Sequence, residues 1–151
     1  MTSSPAVSPA PIRTVARAAQ HCQVQPDAEA PGRLRAWVSA LLDDWLLPHL
    51  KEDLALIATE LASNAVRHGD SPAHATLSIG EYGCEDTRVR LEVTDGGPGF
   101  DPQDAISTWD DSGTTASCHG RGLLLVAALS KRWGSLRLNP GQRVWAELAT
   151  D

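Results

Sequence analysis

The spacing of apolar residues predicts an α+β domain, a mixed, mainly antiparallel sheet covered on one face by helices. Two early stretches repeat their apolar residues on a 3.6-residue period. Later stretches alternate with period two and are joined by turn residues. Helical and strand patterns are mixed along the chain with no regular strand–helix–strand alternation, which argues against a parallel sheet.

The opening MTSSPAVSPAP has no periodicity, and five of the ten prolines (Pro5, Pro9, Pro11, Pro26, Pro31) precede residue 32. A disordered tail over 1–14 is expected, then one domain over 15–151. Ala18 to Gln25 alternates weakly and fits an edge strand. Leu34, Trp37, Val38, Leu41, Leu42, Trp45 and Leu46 lay one stripe along a helix from about Ala28 to Leu47, with Asp27 placed to cap it and Pro31 in its first turn. A second helix covers about Lys51 to His68. Glu52 and Asp53 suit the positive end of its dipole, Leu54, Ile57, Leu61 and Ala65 form its apolar face, and Gly69 ends it.

After Pro72 the period becomes two. Ala75, Leu77 and Ile79, then Val89, Leu91 and Val93, face one side, and Gly83-Cys84-Glu85-Asp86 between them predicts an antiparallel hairpin. From Gly96 to Gly120 the pattern vanishes; five Gly and two Pro fall there. A structureless segment that long inside a domain points to function. A third helix is expected from Gly122 to about Ser130. Two strands, about Trp133–Asn139 and Arg143–Ala149, turn at Pro140-Gly141.

Composition narrows the function. The chain has 151 residues, 42% of them apolar, enough for one packed core. A net charge of −6 has the wrong sign for a protein that grips a phosphate backbone, so no direct nucleic-acid role is expected. No apolar run approaches the roughly 18 residues that span a bilayer, and Met1 to Ala10 lacks the features of a secretory signal. Three widely spaced cysteines without a CxxC pair fit a reducing cytoplasm better than a disulfide framework or a Cys-rich zinc site. The five histidines are scattered, and Trp37 and Trp45 belong to the first helical stripe as core residues. Trp109 has no such account.

Three places could carry chemistry. Glu60 and Asn64 lie one turn apart on the second helix, with Arg67 and His68 following. A carboxylate there can polarise a nucleophile, and a carboxamide oxygen can ligate a hard cation; a plain solvated helix face would also look like this. Asp95-Gly96-Gly97-Pro98-Gly99 follows a strand. A carboxylate at a strand end can accept from an exocyclic amine, and the glycines allow close approach, although a tight turn favours the same residues. Gly120-Arg121-Gly122 precedes the third helix, where free N–H groups and one guanidinium would suit an anion.

In this order, ELASNAVRHG, VTDGGPGF and GRGLLLV resemble the N box and two glycine boxes of the Bergerat-fold (GHKL) ATP-binding family. The likeness spans about residues 15 to 149 and is greatest to small anti-sigma factor serine/threonine kinases and their actinobacterial relatives. The resemblance implies ATP and Mg2+ as cofactors. Glu60 would be the general base, Asn64 the metal ligand, and Asp95 the acceptor for the adenine amine. Gly97 and Gly99 would lie along the nucleotide, Gly120, Arg121 and Gly122 on phosphates, and His68 in the wall of the site. Residues from about Phe100 to His119 would form a lid. It further implies a cytoplasmic transferase that regulates transcription by partner switching, with a sigma factor and an anti-anti-sigma antagonist as partners, and leaves room for a homodimer.

One departure concerns the last strand, where such proteins commonly carry a threonine that helps read adenine; Gly141-Gln142-Arg143-Val144-Trp145 places Arg143 there. The alternative is a nucleotide-sensing module of the same fold without turnover. A histidine kinase would need a dimerisation helix pair before the first helix, and a gyrase or mismatch-repair ATPase a further domain, for which this length has no room.

Overall fold

In a computed structural model, which describes residues 14–68, 72–82, 86–96, 118–138 and 140–151, the alternating stretches form one five-stranded sheet. The elements in chain order are β1 (Thr14–Val24), α1 (Ala30–Asp44), a 3-10 turn (Pro48–Leu50), α2 (Lys51–His68), β2 (Ala73–Tyr82), β3 (Asp86–Asp95), α3 (Cys118–Leu129), β4 (Arg132–Arg137) and β5 (Gln142–Ala149). The strand order is β1-β2-β3-β5-β4 and every neighbouring pair is antiparallel. The fold is α+β, as the patterning predicts.

Register follows from the alternation. Ala75, Leu77 and Ile79 sit opposite Val93, Leu91 and Val89, and the last two of these face Ala146 and Leu148 on β5. Side chains alternate across a strand, so these residues all share one face of the sheet. That face is covered by Leu34, Val38 and Leu42 of α1, Leu54, Ile57 and Leu61 of α2, and Leu123 and Val126 of α3, all in one buried cluster. The opposite face carries Arg88, Arg90 and Glu92. Glu147, 1% exposed, lies between Arg88 (3.0 Å) and Arg90 (2.9 Å) there.

Several boundaries differ from expectation. β1 is an edge strand as predicted, but longer. α1 is shorter at both ends and its N-cap is Glu29, whose N–H bonds to Asp27 Oδ1 at 2.9 Å; Asp27 acts one turn outside the helix. At the other end, Leu46 does not join the buried stripe. Its φ of 61° turns the chain out of the helix, Leu47 N–H bonds back to Leu42 O at 2.8 Å, and Leu46 is 83% exposed. This is the left-handed helix ending that glycine usually provides. Trp37 and Trp45 do pack against the core, partly buried, as expected. α3 begins four residues before the expected Gly122. The tail, the Gly83–Glu85 turn, Gly69 and residues 97–117, with Trp109, lie outside the described residues.

Candidate functional site

β3 runs through the middle of the sheet and ends at Asp95, a carboxylate only 8% exposed. Its cross-strand neighbour is Gln142, the first residue of β5, which is 1% exposed. Both point to the helix-covered face, so a carboxylate and a carboxamide stand side by side at the end of the apolar rows that Val89, Leu91 and Val93 of β3 and Val144, Ala146 and Leu148 of β5 make there. The turn into β5 holds them there. Gly141 has φ +112°, and a Cβ at that position would overlap the Asp95 carbonyl oxygen and stand 3.3 Å from its carbon. Only glycine allows this approach.

Arg143 is not beside Asp95. It pairs with Thr94 in the register and therefore lies on the other face, where its Nε reaches Glu92 Oε2 at 3.1 Å and Thr94 Oγ1 at 3.3 Å. Gln142 is the residue that neighbours Asp95, and sequence reasoning missed it. The signal was available: strand alternation counted back from buried Val144 puts 142, not 143, on the inner face.

On α2, Glu60 and Asn64 share a face, but that face is not a solvated one. Asn64 is 2% exposed. Its Oδ1 accepts from Arg67 Nη2 at 2.8 Å, while its Nδ2 is buried with no partner. Glu60 is half-buried and meets the third helix: a Cβ on Gly122 would overlap Glu60 Oε1 and lie 3.2 Å from its carboxyl carbon. Gly122 thus serves close packing of α3 on the Glu60 carboxylate. Because α3 starts at Cys118, the N–H of Gly120 is among those at its start that lack intrahelical partners, while those of Arg121 and Gly122 fall inside the i→i−4 ladder.

His68 is the last residue of α2; its side chain, that of Arg121, and the whole of Gly97 and Gly99 lie outside the described residues. The structure therefore brings together Glu60 with Gly122, Asn64 with Arg67, and Asp95 with Gln142 and Gly141. Among the described residues no group of three or more His, Cys, Asp or Glu could hold a metal ion. The ligating atom of Asn64, Oδ1, accepts one bond from Arg67 and keeps a second lone pair, so a cation held there would share that oxygen with the guanidinium or displace it.

A comparison with protein families matches residues 9–147 to the histidine kinase-like ATPase domain. The chain belongs to this family. As a histidine kinase-like ATPase domain it is an ATP-binding protein. Comparison with curated proteins finds no match. Among the described residues, no helix of this domain is long and apolar enough to cross a membrane.

Proposed function

We propose that this domain is an ATP-dependent serine/threonine protein kinase of the anti-sigma type, acting by partner switching between a sigma factor and an antagonist protein in the cytoplasm. The observation that carries the catalytic part is the placement of Glu60. Its carboxylate lies against the start of α3, one turn along α2 from buried Asn64. A base at that point stands beside the first-turn N–H groups that would hold phosphate oxygens.

In the proposed reaction Glu60 accepts the proton of a serine hydroxyl on the antagonist. The serine oxygen bonds to the γ-phosphorus of ATP, the bond to the β–γ bridging oxygen breaks, and ADP leaves. Asp95 orients the base by accepting from its exocyclic amine, with Gln142 beside it across the strand pair. Positioning and electrostatics supply the rate. No step is assigned to Mg2+.

A module that binds nucleotide without turnover is the second reading. It is favoured by Gln142, whose carboxamide stands where such proteins commonly carry a threonine. Labelled ATP incubated with the protein and candidate antagonists from the same genome separates the two. A kinase transfers label to serine, and Glu60→Gln lowers the rate by about 10²–10⁴ with little change in ATP affinity. ATP binding without transfer to any antagonist refutes turnover. Equal transfer by Glu60→Gln refutes the role of Glu60.

A further inference from the structure

We propose that the open edge of β4 is a docking site for an acidic, extended segment of a partner protein, which adds to the sheet as a further strand. This surface lies apart from the nucleotide site, and the proposal holds whether or not the domain transfers phosphate.

Three observations lead to it. The first is topology. The sheet ends at β4, which pairs with β5 on one side and with no strand on the other among the described residues. Leu138 N–H bonds to Gly141 O at 2.8 Å, which makes that pair a hydrogen-bonded one. Counted along the ladder in steps of two, Leu136 and Gly134 also bond to β5. Trp133, Ser135 and Arg137 therefore turn their N–H and C=O groups to the open edge. Such an edge is a template for one more strand.

The second is charge. Residues 131–143 hold Lys131, Arg132, Arg137 and Arg143 and no carboxylate, in a chain of net charge −6. Lys131 and Arg143 reach back to Asp86 and Glu92 of β3, and Arg132 stands 5.9 Å over the ring of Trp145. Arg137 is exposed and pairs with no carboxylate among the described residues. The opposite edge of the sheet needs no such charge: β1 has no Asp, Glu, Lys or Arg from Ala18 to its end. A basic edge repels a second copy of itself and attracts an acidic strand. The third is Leu136, 48% exposed on the face that carries Arg143, where an apolar side chain of the incoming strand can pack.

The test uses a fluorescein-labelled peptide of alternating glutamate and valine, long enough to span β4, with anisotropy read at low and high salt. The protein should bind it, more weakly as salt rises, and should not bind the matching lysine–valine peptide. Methylating the peptide's backbone nitrogens removes the ladder donors and keeps the charge, and should cost about tenfold or more. Amide exchange read by NMR locates the strand: Trp133, Ser135 and Arg137 should slow when peptide binds, while Gly134 and Leu136 are bonded already. Arg137→Glu, at an exposed position, should fold as the wild type and bind about fivefold more weakly. No binding of the acidic peptide, equal binding of the lysine or methylated peptide, or unchanged exchange at the three amides overturns the proposal. Unchanged affinity in Arg137→Glu does the same. So does a protein that self-associates and is driven apart by the peptide, which would give the edge to a second copy.

Discussion

Replacing Gly141 with alanine should damage stability and the site together. The backbone there has φ +112°, where an L-residue is strained by about 1–3 kcal/mol. The new Cβ also overlaps the Asp95 carbonyl oxygen, a backbone atom that cannot swing aside as a flexible side chain would. Relief requires moving the end of β3 or the start of β5. A total of about 2 kcal/mol is a floor, which at this size lowers Tm by about 4–8 °C. Gly32 is the control. An alanine Cβ there meets nothing closer than Arg35 Nη2 at 3.7 Å, in a helix, so Gly32→Ala should stabilise by up to about 1 kcal/mol. Differential scanning calorimetry of both variants, followed by ADP titration, is the assay. A Gly141→Ala variant that melts with the wild type and binds ADP as well would refute the reasoning that this glycine seats Asp95.

Asn64→Ala should melt no lower than the wild type, since it removes a buried donor that costs about 1–3 kcal/mol unpaired and installs a better helix former, while ADP affinity falls. A lower Tm with unchanged affinity would make Asn64 structural. Leu46→Gly should raise Tm by about 2–4 °C by relieving a left-handed leucine worth about 1 kcal/mol; no rise in a thermal melt would count against that helix ending. The hydrogen bond from Arg88 holds the Asp86 carboxyl below its ordinary value of 3.8. Its stabilisation is therefore present above that value and lost as pH falls through the lowered one, so Asp86→Asn should be less stable near neutrality and match the wild type in strong acid, read by denaturant melts across pH.

The fold was legible where periodicity is strong. The stripe on α2 and the alternation of β2, β3 and β5 place helices and sheet within a few residues. What local pattern could not supply was termination and tertiary burial. Leu46 looks apolar enough to continue the stripe of α1, and only the left-handed backbone at that residue shows that the helix has already ended. Asn64 reads as surface from its polarity; packing closes over it and leaves a buried side chain whose acceptor is bonded and whose donor is not. Arg143 and Gln142 exchanged roles because the face of a strand flips with every residue, and a boundary placed one residue late at Arg143 hides the inner position that precedes it. The contact between Gly122 and Glu60, 62 positions apart in sequence, has no local signal beyond the glycine itself.

Nucleotide recognition by Asp95 is the central claim, and calorimetry of ATP and GTP with the wild type and Asp95→Asn tests it most directly. If this carboxylate, 8% exposed, accepts from the exocyclic amine of adenine, exchanging it for a carboxamide leaves an imperfect partner and should weaken ATP binding by about 1–3 kcal/mol, roughly five- to 150-fold. ATP should bind the wild type well and GTP poorly. Equal affinity for the two nucleotides, or ATP binding untouched in Asp95→Asn, would contradict the account.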